Sequence, residues 1–197
     1  MADVYLTLTE LENLFWNNTA LMLSLDPSLA TTSEIVKISW PTAGTPAWEI
    51  TEDRVFIRVG EKDDDYNILR DIAYTEQDSA TATESTAQTR VVHVHWVCYG
   101  PNAYDNAFTI RRNLYNSAYR EKLAVSYIYV IPQIATPIRQ PELFASQWWE
   151  RTDIEADFNE LVKFEQDVAY LQTATISASS ETKTLTDNVT SSSLVHD

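Results

Sequence analysis

Val92-His93-Val94-His95-Trp96-Val97-Cys98-Tyr99 sends successive side chains to opposite faces of a pleated strand, and Gly100-Pro101 stops it. Pro101 suits the first turn of a helix, where its missing N–H is not needed. The helix predicted to follow puts Ala103, Ala107, Ile110, Leu114 and Ala118 on one stripe, with Arg111, Arg112, Arg120 and Lys122 mostly off it. A second strand then runs from Val125 through Tyr127 and Tyr129 to Ile131. This strand–helix–strand unit offers no nucleophile with a base and no phosphate loop. It is a scaffold, so the function lies in what the scaffold assembles into.

Towards the N-terminus, Thr7 and Glu10 have the spacing of a capping box. Leu8, Leu11, Leu14, Phe15, Leu21, Met22 and Leu25 then recur at helical spacing until Asp26-Pro27, with Trp16 off the stripe. Residues 34–40 read as a strand, and Pro41, Gly44 and Pro46 punctuate a loop up to residue 53. Val55, Ile57 and Val59 alternate with Arg54, Phe56 and Arg58 as a strand, closed by Gly60 and a charged turn over 61–65. A weaker strand spans 69–76. Residues 78–88, all Ser, Thr, Ala, Asp, Glu and Gln, are expected as a flexible loop.

Towards the C-terminus, Pro132, Pro137 and Pro141 space out an extended connector. From Trp149 to Phe164, charged residues including Arg151, Asp153, Glu155 and Asp157 alternate with Ile154, Ala156 and Phe158, giving a long strand with one wet face. A helix competes over 157–166, where Glu160, Leu161, Phe164 and Glu165 also fit helical spacing. Residues 168–176 make a last strand. From Ser177 the chain turns polar, so 177–197 is expected as an arm that is disordered in the free subunit and anchored on a neighbour through Leu194 and Val195. The expected fold is α+β: a mostly antiparallel or mixed sheet, with the N-terminal and central helices on one face and long C-terminal strands. Residues 1–176 form its single domain.

The 197 residues are enough for one packed domain. A net charge of -15 argues against wrapping nucleic acid or adhering to anionic membranes, both of which need basic patches. It suits DNA that must pass without sticking. Cys98 is the single cysteine, so there is no disulfide framework, and it reads as a small buried hydrophobe. The first residues lack the pattern of a signal peptide, and no apolar run reaches the ~18 residues that span a bilayer. A soluble protein, made in the cytoplasm, is expected.

Each chemical motif meets a plainer reading. His93 and His95 share one face of a strand, as metal ligands can, but Cys98 points the other way and no third ligand follows. A hydrogen-bonded histidine pair is the better reading. Asp63-Asp64-Asp65 fails as a calcium loop, because its sixth and twelfth positions are Ile68 and Tyr74. Asp153, Glu155 and Asp157 form a row of like charge that keeps a strand from edge-to-edge aggregation. Arg111 and Arg112 suit pairing with carboxylates, across a subunit boundary as readily as within one. Trp148 and Trp149 are adjacent on a strand and face opposite ways. One can be core, and the exposed one fits an oligomer contact.

Residues 94–114, a strand ending in Tyr-Gly and leading into a helix, resemble phage neck proteins of the tail-terminator type. So does Gln147-Trp148-Trp149-Glu150-Arg151-Thr152-Asp153 with the alternating strand after it. The resemblance covers roughly residues 8–176 and leaves out 79–87 and 177–197. It implies a virion protein of the neck without catalytic groups or cofactor. It implies a ring, usually hexameric, that caps the tail tube and joins it to the head connector, with DNA passing through its lumen. Its partners would be further copies of itself, the tail tube protein and head-completion proteins, with contacts expected at Trp148, Trp149, Arg151, Asp153, Arg111 and Arg112. Two alternatives are a monomeric cytoplasmic binding module and a metal-dependent enzyme using His93 and His95.

Overall fold

The computed structural model describes residues 4–39, 48–77, 81–144, 146–169, 173–180 and 183–190. Helix α1 (Leu8–Met22) starts on the expected box: Thr7 Oγ1 accepts from the Glu10 N–H at 3.3 Å, and Glu10 Oε2 accepts from the Thr7 N–H at 2.8 Å. Its buried stripe is Leu11, Phe15 and Met22, whereas Leu8 lies outside it and is exposed. The helix ends before Asp26-Pro27. Ser24 turns left-handed at φ 60°, its N–H bonds the Leu21 carbonyl, and the Leu25 N–H bonds the Ala20 carbonyl at 2.8 Å. These two bonds satisfy carbonyls that the helix end would otherwise orphan. Trp16 leaves the stripe as expected, and its Nε1 donates to the Val36 carbonyl at 2.8 Å.

The strand expected over 34–40 is only partly strand over 34–39, and residue 40 lies outside the described residues. Ala30–Ile35 forms a short helix α2, and Val36–Ile38 the strand β1. Strand β2 (Arg54–Glu61) pairs parallel with β1 and runs through Gly60 and Glu61, which had been expected in the turn. Strand β3 (Asp71–Glu76) follows. The loop expected over 78–88 is strand from Thr81, because β4 runs Thr81–Tyr99; residues 78–80 lie outside the described residues. A polar segment carries no burial signal, and here cross-strand pairing with β3 supplies the order instead.

Gly100 has φ +104°, and a Cβ there would lie 2.5 Å from Asp53 Oδ1 and 2.6 Å from the Glu52 carbonyl oxygen. Only glycine fits this corner. Asp53 reaches across it and accepts from the Asn102 N–H at 3.0 Å, at the start of α3 (Ala103–Leu114). The single helix expected after Pro101 is two. Asn116 accepts from the Ala118 N–H and caps α4 (Ser117–Ala124), which turns Ala118 to solvent. Ala103, Ala107, Ile110 and Leu114 are buried as expected. Val125 is 82% exposed and Tyr127 has φ 58°, so β5 is only Ile128–Val130.

The proline-spaced connector holds the short strands β6 (Ile138–Arg139) and β7 (Glu142–Phe144), and β8 (Gln147–Trp149) pairs antiparallel with β7. Strand β9 (Arg151–Ala169) settles the helix–strand ambiguity over 157–166 in favour of the strand. The tail expected to lack structure from Ser177 instead pairs β10 (Thr173–Ser180) with β11 (Lys183–Thr190) in an antiparallel ladder. Leu194 and Val195 lie outside the described residues.

The main sheet has the order β1-β2-β4-β9-β5, with β3 also on β4 and β6 also on β9. The fold is therefore α+β. Two units divide the chain: residues 4–69 with 88–162, and residues 1–3, 70–87 and 163–197. The first holds the core. Val92, Val94, Trp96 and Cys98 of β4 and Ile154, Ala156 and Phe158 of β9 line the sheet face on which α1, α3 and α4 pack. Trp96 donates from Nε1 to Thr19 Oγ1 at 2.9 Å, so the largest core side chain leaves no buried donor unpaired. Among the described residues no helix is long and apolar enough to cross a membrane.

Candidate functional site

Alternation in β4 and β9 buries one set of residues under the helices and puts the other on the opposite face of the sheet. On β4 that second set includes His93, His95 and Tyr99; on β9 it includes Arg151, Asp153, Glu155 and Asp157. The pairings descend β9 as they ascend β4, so the strands are antiparallel. His93 Nδ1 lies 2.7 Å from Asp157 Oδ1, and His95 Nε2 lies 3.2 Å from Asp153 Oδ2. The histidine pair of the sequence is hydrogen-bonded, each ring to its own carboxylate. Glu155 sits 3.6 Å from His93 Nε2, so both nitrogens of that ring look at acids.

Cations complete the row. Lys62 Nζ donates to Asp157 at 2.5 Å. Arg151 holds Asp153 in a fork, Nε to Oδ1 and Nη2 to Oδ2, both at 2.7 Å, and its Nη1 donates to Glu142 at 3.1 Å. Burial works to raise the Asp153 carboxyl, but the bonds from His95 and Arg151 outweigh it and hold the pKa at about 2. Burial likewise opposes, and Lys62 and His93 overcome, a lowered Asp157. Tyr99 is pushed up to about 12, first by burial and then by donating its hydroxyl to Glu142 at 2.9 Å. The Cys98 thiol on the other face is driven upward by complete burial, which makes it inert.

This arrangement fixes a row of charges. Each histidine faces carboxylates, and among the described residues no serine, threonine or cysteine hydroxyl or thiol bonds to either ring. Among the described residues no three His, Cys, Asp or Glu side chains converge as metal ligands do.

The adjacent tryptophans face opposite ways. Trp149 stands edge-on to Trp48 with centroids 5.9 Å apart, in a cluster with Phe56 and Tyr99. Trp148 is 67% exposed and sits opposite Leu143, itself 59% exposed, on the β7–β8 pair. Arg111 donates from Nε to the Ala135 carbonyl at 3.0 Å, lies over the Tyr115 ring, and pins the connector to α3 within its own subunit. Arg112 beside it is exposed. Of the six residues singled out in the sequence, the fold therefore gathers Arg151 and Asp153 into one ion pair near the tryptophans and leaves the arginines of α3 elsewhere. Lys62, Glu142 and Trp48 were not legible as parts of this site, since they come from a turn, the connector and a loop with no shared period, whereas Tyr99 shares the alternation of His93 and His95 on β4.

A family model described as phage neck terminator protein matches residues 11–183, well over half of the chain. The chain belongs to the phage neck terminator family. No curated protein matches it. This neck terminator is a structural component of the virion neck, in a family that works by contact with other virion proteins. The match runs through residues 79–87 and into the start of the polar tail, to residue 183, beyond the span of the resemblance read from the sequence.

Proposed function

We propose that this neck terminator closes into a ring, hexameric as the resemblance implies, that caps the tail tube and joins it to the head connector. The family match over residues 11–183 carries this reading. The surface supports it. Trp148 and Leu143 offer a large apolar contact, and the Arg151–Asp153 fork close by in sequence is held rigid before any partner arrives. Trp149, half-buried on the other face of the same strand, packs edge-on to Trp48, which leaves the contact to Trp148 in this reading. The charge of -15 keeps a lumen from gripping the DNA that passes through it. The protein acts by assembly, without catalysis and without a cofactor.

Size-exclusion chromatography with light scattering tests the ring. The expected species has several times the 22.5 kDa of one subunit, six times for the hexamer. A single 22.5 kDa species at every concentration would favour the monomeric binding module instead.

A further inference from the structure

Two surfaces remain that the Trp148 contact does not use. Among the described side chains of the smaller unit, Ala82 is the one buried hydrophobic residue, and all six residues of β3 are exposed. This unit holds one end of the main sheet, β3 with the first part of β4 and the last part of β9, and leaves apolar side chains there exposed. Ile72, 50% exposed, and Tyr74, 63% exposed, share one face of β3, and Phe164 of β9 is 40% exposed. Glu84 lies opposite Tyr74 and accepts from its hydroxyl and from the Gln166 amide. Both donors are neutral, so the face keeps a negative charge for a cation to meet.

The second surface is the outer side of α3. Tyr104, Phe108, Arg111 and Tyr115 recur at helical spacing, and each of the three aromatics is 47% exposed. The stretch Ala103–Leu114 with Ser117–Ala124 carries four basic residues, Arg111, Arg112, Arg120 and Lys122, against two acidic ones, in a chain of net charge -15. Arg112, Arg120 and Lys122 are exposed and have no ion-pair partner among the described residues. Tyrosine, phenylalanine and arginine around an apolar centre are the composition of an interface hot spot.

We infer that the β3 face of one copy, Ile72 and Tyr74 with Glu84, docks on the Tyr104–Phe108–Tyr115 stripe and Arg112 of the next copy. The two surfaces complement each other, apolar on apolar and acidic on basic, and no charge on this acidic chain suits the β3 face better than the basic helix pair. They are different patches of the same subunit, so the contact is head-to-tail, the kind that closes a ring. This inference rests on the ring reading and names the surfaces that make it.

The test uses two full-length double variants, Ile72→Ser with Tyr74→Ser and Phe108→Ser with Arg112→Ser. All four side chains are exposed, so circular dichroism and the melting temperature should stay close to wild type. The damaged β3 face keeps Glu84 but loses its apolar pair, and the damaged helix face loses Phe108 and the Arg112 charge, so the two damaged surfaces no longer match each other. Each variant alone is expected to run as a monomer in light scattering. Mixed one to one, they should form a two-subunit species and stop, since each supplies the surface the other lacks. If either variant assembles as wild type does, or the mixture stays monomeric, the docking is wrong while the ring stands. If wild type itself is monomeric, the ring reading falls and takes this contact with it.

Discussion

Glu160 is 1% exposed and lies 2.6 Å from Arg90 across two neighbouring strands. Its second oxygen accepts from the Leu6 N–H at 2.8 Å, and Arg90 donates to the Leu6 carbonyl at 2.7 Å. One buried ion pair thus grips both polar groups of the residue that leads into α1, and holds that helix on the sheet.

Breaking this pair from the arginine side should be the costlier change. Arg90→Ala leaves a carboxylate buried without its cation, for an expected loss of about 3–5 kcal/mol. Replacing both, Arg90→Met with Glu160→Leu, should cost less than either single change, leaving mainly the Leu6 backbone unpaired. Urea unfolding of Arg90→Ala, Glu160→Leu and the double variant checks the order. A double variant as unstable as Arg90→Ala would mean that the backbone clamp outweighs the charge pair.

Asp153 gives the stability a defined acid limb. Its folded pKa of about 2 lies below the roughly 3.9 of an unfolded aspartate. The stabilisation is therefore complete above pH ~4 and is lost as pH falls towards 2. The gap in urea midpoint between wild type and Asp153→Asn should be widest near pH 6 and shrink through that window. A constant gap from pH 6 to pH 2 would show that the Arg151 fork does not depend on the charge.

Two backbone positions should respond in opposite directions to small changes. Ser24 holds φ 60° at the exposed end of α1, so Ser24→Gly is expected to stabilise by about 1 kcal/mol. Gly100→Ala must strain φ and push a Cβ into Asp53, with an expected loss above about 2 kcal/mol. Thermal unfolding reads both, and Gly100→Ala should also loosen the start of α3, seen as faster amide exchange at Asn102.

The tryptophans separate folding from assembly. Trp149→Ala empties an aromatic cluster and should lower the stability of the isolated subunit by about 2 kcal/mol or more. Trp148→Ala removes an exposed side chain and should change it by less than about 0.5 kcal/mol. In infected cells the Trp148 variant should give folded protein with unjoined heads and tails, or tails of irregular length. Normal virions from Trp148→Ala would place the contact elsewhere.

The sequence alone determined what local periodicity and local chemistry encode. Alternation marked β4 around His93 and Trp96 and β9 around Asp153 and Phe158, the Thr7–Glu10 spacing marked the start of α1, and Ala107 and Ile110 marked the buried side of α3. Each of these signals lies within a few residues of chain, where burial on one face leaves its imprint. Tertiary structure decided the rest. Residues 82–87 became strand because β3 pairs with them, though their polar composition gives little reason to expect it. His93 meets Asp157 and Arg90 meets Glu160 only because β4 and β9 pair in one register, bringing together groups 64 and 70 residues apart. Period-2 alternation states that a residue faces the open side of a sheet; which partner it finds there is fixed by strand order and register, and these belong to the whole chain.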